Sequence, residues 1–199
     1  MTEVVYFKDI ILRNCCTQSP FKLPMTKHIL FRILLPAFLI LQGLAQPSYA
    51  QVKTAMLGVN GLTCSACSRT VEMSLRKLPF IKDVEMNLEN TEGKLIFKEN
   101  TDVNFEQIAK AVTNAGFSVR YLSAYFPFDH QQLSNGTCLQ KNSYSLQVVN
   151  SSSQQADGEK ELKFLGSEFL PKSEYNKIKN SLVNSCPANN KKVYFVAVK

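Results

Sequence analysis

The chain has 199 residues, 45% of them hydrophobic and 20% charged, with 8 Gly and 8 Pro, a balance that excludes collagen-like, low-complexity and globally disordered chains. Its net charge is +7, yet residues 1–50 hold five basic against two acidic side chains and the remainder holds 18 against 14, with Lys and Glu interspersed. No basic stripe forms, so nucleic acid is not an expected partner. Six Cys are too few for a disulfide scaffold, and their spacing must carry the argument.

Residues 25–50 read as a secretory signal peptide. Lys27 and Arg32 supply a basic start, Ile33–Leu44 an apolar run of 12 residues with one polar side chain, and Ser48-Tyr49-Ala50 a small-x-small cleavage site. That run is shorter than the roughly 20 residues a membrane span needs, so no stable membrane anchor is expected. Residues 1–24 precede a Met that already opens a complete leader and read as an over-extended translation start; Cys15 and Cys16, which fall there, are assigned no role. The mature chain is expected to begin at Gln51, in the periplasm or outside the cell.

From Gln51 the hydrophobic period alternates between two and about 3.6, giving the order βαββαβ. Leu57 and Val59 alternate on a first strand; Val71, Leu75 and Leu78 line a helix that Pro79 ends. Val84, Met86 and Leu88 mark a second strand, and Thr91-Glu92-Gly93 turns into a third over 94–98. Phe105, Ile108, Ala109 and Val112 form a helical stripe with Asn104 as N-cap and Gly116 as its stop, before Phe117, Val119 and Tyr121 on a fourth strand. Two crossover helices on one sheet predict an α+β, ferredoxin-like sandwich over 51–124.

Between the first strand and the first helix lies Gly61-Leu62-Thr63-Cys64-Ser65-Ala66-Cys67. A C-x-x-C entering a helix sets both sulfurs at its N-terminus, where the positive end of the dipole and the free N–H groups favour thiolate. Thiolates bind soft metals, although the same spacing also marks redox dithiols and half of a zinc site. A structural zinc site wants four ligands, and the mature chain offers no second C-x-x-C and one His, His130, so zinc is disfavoured. Cu(I) and Hg(II) are content with two sulfurs.

Gly61-Leu62-Thr63-Cys64-x-x-Cys67, with Val71-Glu72, Leu75 and Ala115-Gly116-Phe117, resembles the heavy-metal-associated domain, a family of copper chaperones, copper-ATPase metal-binding domains and a periplasmic mercury-binding protein. The resemblance spans about residues 53–124. It implies that Cys64 and Cys67 are the metal ligands. It also implies that Thr63 suits a copper or mercury member better than a zinc or cadmium one, and that Phe117 could shield the loop, where the bare sequence reads it as core. Leu62 replaces a usual Met that packs beneath the loop, and Phe80 a common turn Gly. The implied function is capture of a soft ion, Cu(I) first and Hg(II) second, passed by thiolate exchange to a metal-transporting membrane protein or another thiol carrier. No catalytic constellation appears, so the chain is not expected to be an enzyme; the alternative from another class is a thiol–disulfide redox protein using the same pair.

Residues 125–199 lie outside the resemblance and are expected to form a small second unit, ββαβ. Strands are expected at 144–149 and 161–165 around a polar loop at 150–160, then a helix capped by Ser173 with Tyr175, Ile178 and Leu182 on one face, and a last strand at 193–198. His130 reads as an exposed loop residue. Cys138 and Cys186, the pair left once the leader and the motif are set aside, are expected to form a disulfide closing this unit.

Overall fold

In a computed structural model, residues 51–141, 143–187 and 190–199 are described. The leader, the upstream segment and Cys15 and Cys16 lie outside the described residues. The elements are β1 (Thr54–Asn60), α1 (Ser65–Arg76), β2 (Ile81–Asn87), β3 (Glu92–Phe97), α2 (Phe105–Asn114), β4 (Ser118–Leu133), β5 (Cys138–Gln140), β6 (Tyr144–Val148), β7 (Gln154–Phe164), α3 (Lys172–Ile178) and β8 (Lys192–Val198).

The first six appear in the expected βαββαβ order, and their strands run β2-β3-β1-β4, each pair antiparallel, which is the ferredoxin-like arrangement. Ala55, Leu57 and Val59 turn to one face of β1, where Val71 and Leu75 of α1 and Ile108 and Val112 of α2 meet them in one buried core. Ser74 Oγ of α1 donates to the Ala111 carbonyl of α2 at 2.8 Å, fixing the two helices side by side. Asn104 caps α2 as expected, accepting from Gln107 N–H at 3.1 Å, and Gly116 follows the helix at φ +88°. Leu88, expected on β2, is instead exposed in the turn, because β2 ends at Asn87 and Asn87 Oδ1 accepts from Asn90 N–H at 3.1 Å.

The sheet does not stop at β4. It continues β4-β7-β8-β6-β5, eight strands in all, and the boundary expected at residue 124 falls inside the 16-residue β4. Phe126 and Phe128 prolong the inward alternation of Leu122 and Ala124, so the same core runs on through Leu162, Phe164, Tyr144, Leu146, Tyr194 and Val196. Phe105, at the start of α2, is the joint: its ring lies edge-on or tilted to those of Phe126, Tyr144, Phe164 and Tyr194, with centroids 4.4–6.5 Å apart.

The extension is richer than ββαβ. A short strand β5 precedes β6, and the stretch expected as a polar loop at 150–160 is strand from Gln154. Its polar character was misleading because Gln154–Lys160 pair with the far end of β4 in a ribbon where Ala156 alone of those seven is buried. The strand pair β6–β8 is parallel, unlike the rest. Helix α3 starts at Lys172 after Pro171, with no side-chain cap, so Ser173 is not the cap expected of it. Tyr175, Ile178 and Leu182 do share a face. They pack with Phe195 and Ala197 against Val149, Leu165 and Leu170, on the side of β8 opposite Tyr194 and Val196.

Cys138 of β5 and Cys186 are joined in a disulfide, as expected, with their Cα atoms 5.6 Å apart. The bond holds residues 183–186 over β6, where Gln147 Nε2 donates to the Val183 carbonyl at 2.8 Å and Gln147 Oε1 accepts from Ser185 N–H at 3.0 Å. No helix among the described residues is long and apolar enough to cross a membrane.

Candidate metal centre

Strand β1 ends at Asn60, and the chain turns at Gly61 with φ +88°, a backbone region that a Cβ disfavours. Thr63 N–H donates to the Gly61 carbonyl at 2.9 Å, which tightens the turn. Leu62 points inward and is 3% exposed, so the position that carries Met in the resembled family is filled by an apolar side chain of similar volume. The loop is thus pinned from below by Leu62 while Thr63, Cys64, Ser65 and Ala66 stay exposed.

Cys64 is the N-cap of α1. Its backbone is extended, its carbonyl accepts from Ser68 N–H at 3.1 Å, and its Sγ accepts from Cys67 N–H at 3.1 Å. This is the geometry an N-cap Ser or Thr uses, with sulfur in place of oxygen, and it stabilises negative charge on that sulfur when the thiol ionises. Cys67, one turn in, is half-buried and packs against the core. The pair expected from sequence is therefore brought together: the two sulfurs are bonded as a disulfide, with Cα atoms 5.2 Å apart.

The surroundings carry little charge. Residues 60–68 contain no ionisable side chain other than the two Cys, and the first turn of α1 has no acidic residue. The N-terminus of α1 and the positive Arg69, two residues past Cys67, favour thiolates and hence soft cations.

A second loop flanks the first. Asn60 pairs with Ser118 at the start of β4, which draws Gly116 and Phe117 beside the Cys loop. The Phe117 ring stands 3.5 Å from the position a Cβ on Gly61 would occupy, and it is half-buried against the core. Phe117 thus makes the core contact read for it and stands beside Gly61 of the loop. Sequence reasoning missed that Cys64 caps the helix through its own sulfur; the absence of Ser, Thr, Asp or Asn at the position just before Ser65 was the available signal.

The heavy-metal-associated domain profile matches residues 57–118. The mercuric transport protein periplasmic component of Shigella flexneri is 32% identical over 81 residues, which cover 41% of this chain and 88% of that protein. A copper-transporting ATPase of Helicobacter pylori is 38% identical over 60 residues, which cover 30% of this chain; the chain spans only 8% of the ATPase. Among solved structures, oxidized MerP from Ralstonia metallidurans is 30% identical, with 35% of this chain and 97% of that chain covered, at a TM-score of 0.32. The CopZ metallochaperone is 26% identical with 33% and 97% covered, at a TM-score of 0.31. With 88% of a relative covered at 32% identity and the family profile matched at 57–118, the chain belongs to the heavy-metal-associated domain family.

Proposed function

We propose that the chain is an exported carrier that binds one soft heavy-metal ion, Cu(I) first and Hg(II) second, between the sulfurs of Cys64 and Cys67. The observation that supports this best is the convergence of two exposed or half-exposed sulfurs at the N-terminus of α1, in a loop free of other ligands. Reduction of the Cys64–Cys67 bond by a dithiol supplies two electrons and two protons, and the metal then displaces the protons. Two-coordinate binding leaves the ion open to a third sulfur, so a thiolate on a metal-transporting membrane protein or another carrier attacks it, and the ion moves without release to water. Nothing in this sequence of steps is catalytic; the ion is cargo.

Residues 51–124 carry this role and 125–199 extend the sheet that supports it. Export rests on the leader at 25–50 and agrees with the periplasmic name of the Shigella relative. Mass spectrometry of exported protein should give Gln51 as the first residue.

Anaerobic Cu(I) titration of reduced protein is the deciding experiment. One equivalent is expected, with tight binding lost in Cys64→Ser and Cys67→Ser and with Zn(II) far weaker. Wild-type affinity in the double Ser variant overturns the assignment.

A second reading is favoured by one feature, the disulfide itself. If the pair is a redox dithiol, the reduced, metal-free protein reduces disulfides on other proteins by thiol–disulfide exchange.

A further inference from the structure

The far end of the β4–β7 ribbon holds a group of donors that the Cys site does not use. Phe128 pairs with Gly158 and Gln131 with Ala156, so Asp129 and His130 together stand opposite the single residue Asp157. This is a β-bulge, a device that re-aims side chains. Here His130 takes φ +45°, unusual for a residue with a Cβ, and Gly158 takes φ +69°. The result is that an imidazole nitrogen and one carboxylate oxygen each from Asp129 and Asp157 lie within 4.8 Å of one another.

All three side chains are exposed, and among the described residues none of them forms an ion pair. One hydrogen bond is made, from Gly158 N–H to Asp157 Oδ1 at 3.0 Å, which holds that carboxylate in place. Two carboxylates are therefore kept in reach of each other with no ion-pair partner among the described residues, and the His130 imidazole completes a set of one nitrogen and two oxygens. That mixed set is borderline to hard, unlike the two sulfurs of Cys64 and Cys67, and it suits divalent first-row ions.

We propose that Asp129, His130 and Asp157 form a second metal site, for a divalent first-row transition ion, independent of the Cys64–Cys67 site. The ion takes Asp129 and Asp157 as carboxylate ligands and His130 as its nitrogen ligand, with water in the remaining positions. His130, which the sequence read as a bystander, is the residue that sets the preference. Ten residues of β4 lie between Ser118, beside the Cys loop, and Asp129, roughly 35 Å along an extended strand, so the two sites do not share ligands.

The test is Cu(II) titration of the exported chain, beginning at Gln51 and carrying Cys64→Ser and Cys67→Ser, which removes the soft site and leaves His130 as its one His. Cu(II) is the probe because N/O sites bind it most tightly of the first-row divalent ions. One equivalent is expected, with an electron paramagnetic resonance signal showing a single imidazole nitrogen. His130→Asn, chosen because Asn tolerates positive φ, should abolish the nitrogen signature, and Asp157→Asn should weaken binding at least tenfold. Unchanged circular dichroism in these exposed-residue variants separates ligand loss from misfolding. The proposal is overturned if Cu(II) fails to bind, or if it binds with the same affinity and spectrum after either substitution, as it would at the terminal amine. Because the Cys pair is absent throughout, neither outcome bears on the Cu(I) reading.

Discussion

The ring of Phe105, the first residue of α2, lies 4.4 Å from the ring of Phe164 on β7, centroid to centroid. Phe105 also meets Phe97 of β3, so one side chain bridges the metal-binding half and the extension. Phe105→Ala is expected to destabilise the chain by about 3–5 kcal/mol, the range for a fully buried aromatic truncated in a packed core. Chemical denaturation followed by tyrosine fluorescence and by far-ultraviolet circular dichroism should show one coincident transition in the wild-type chain. Two separated transitions would show that the halves unfold independently.

Loss of the Cys138–Cys186 bond should cost about 4 kcal/mol by the chain-entropy relation for its sequence separation of 48. The double variant Cys138→Ser/Cys186→Ser should unfold at lower denaturant while its reduced form binds Cu(I) as wild type does, since the bond ties residues around β5 and β6 and not the Cys64 loop. Denaturant midpoints and Cu(I) affinity measured on the same samples check both halves of this expectation.

Gly61→Ala should cost about 1 kcal/mol or more through its φ of +88°, and the cost should fall on the metal loop. The added Cβ would make only ordinary contact with Phe117, so strain in the backbone and not a clash is the cause. Leu62→Met, by contrast, conserves volume in a buried position and should stay under about 1.5 kcal/mol. Cu(I) affinity should drop for Gly61→Ala and hold for Leu62→Met in parallel titrations.

Stability should fall in strong alkali. Burial, reinforced by Glu106 and Glu168, pushes the Tyr194 phenol up to about 12, and burial likewise raises that of Tyr144 beside it. A phenol held protonated in the fold adds stability that is complete below the unfolded value of about 10 and is lost as pH rises through the folded one. Denaturant midpoints from pH 8 to 12 should therefore decline above about pH 10, and Tyr194→Phe should flatten that decline.

The six elements around the metal loop were legible because each declares itself locally: Asn104 caps, Gly116 stops, and Val71 and Leu75 repeat at the helical period. The Cys64–Cys67 pair was legible for the same reason, its spacing being contained in one turn of helix. What escaped was non-local. Gln154–Lys160 look like a solvated loop until Phe126 and Phe128 are seen to carry β4 past residue 124 and offer them a partner strand. The meeting of Asp129 and His130 with Asp157 depends on a bulge in that pairing, and a register cannot be read from either strand alone.

The pairing of β7 along β4 also decides how this chain can meet copies of itself. A sandwich ending at β4 would present that strand as an open edge, a template for pairing with other chains. Here β2 and the three-residue β5 are the outermost strands of the order, and β7 pairs with β4 from Ser123 to Leu133, beyond most of the stretch that pairs with β1. Strand β2 exposes Lys82 and Glu85, charges of the sort that discourage edge-to-edge growth, and β5 is too short to seed it. The extension thus covers the far part of β4, which a sandwich alone would leave bare, and the Cys loop at the end of β1 stays open to visitors.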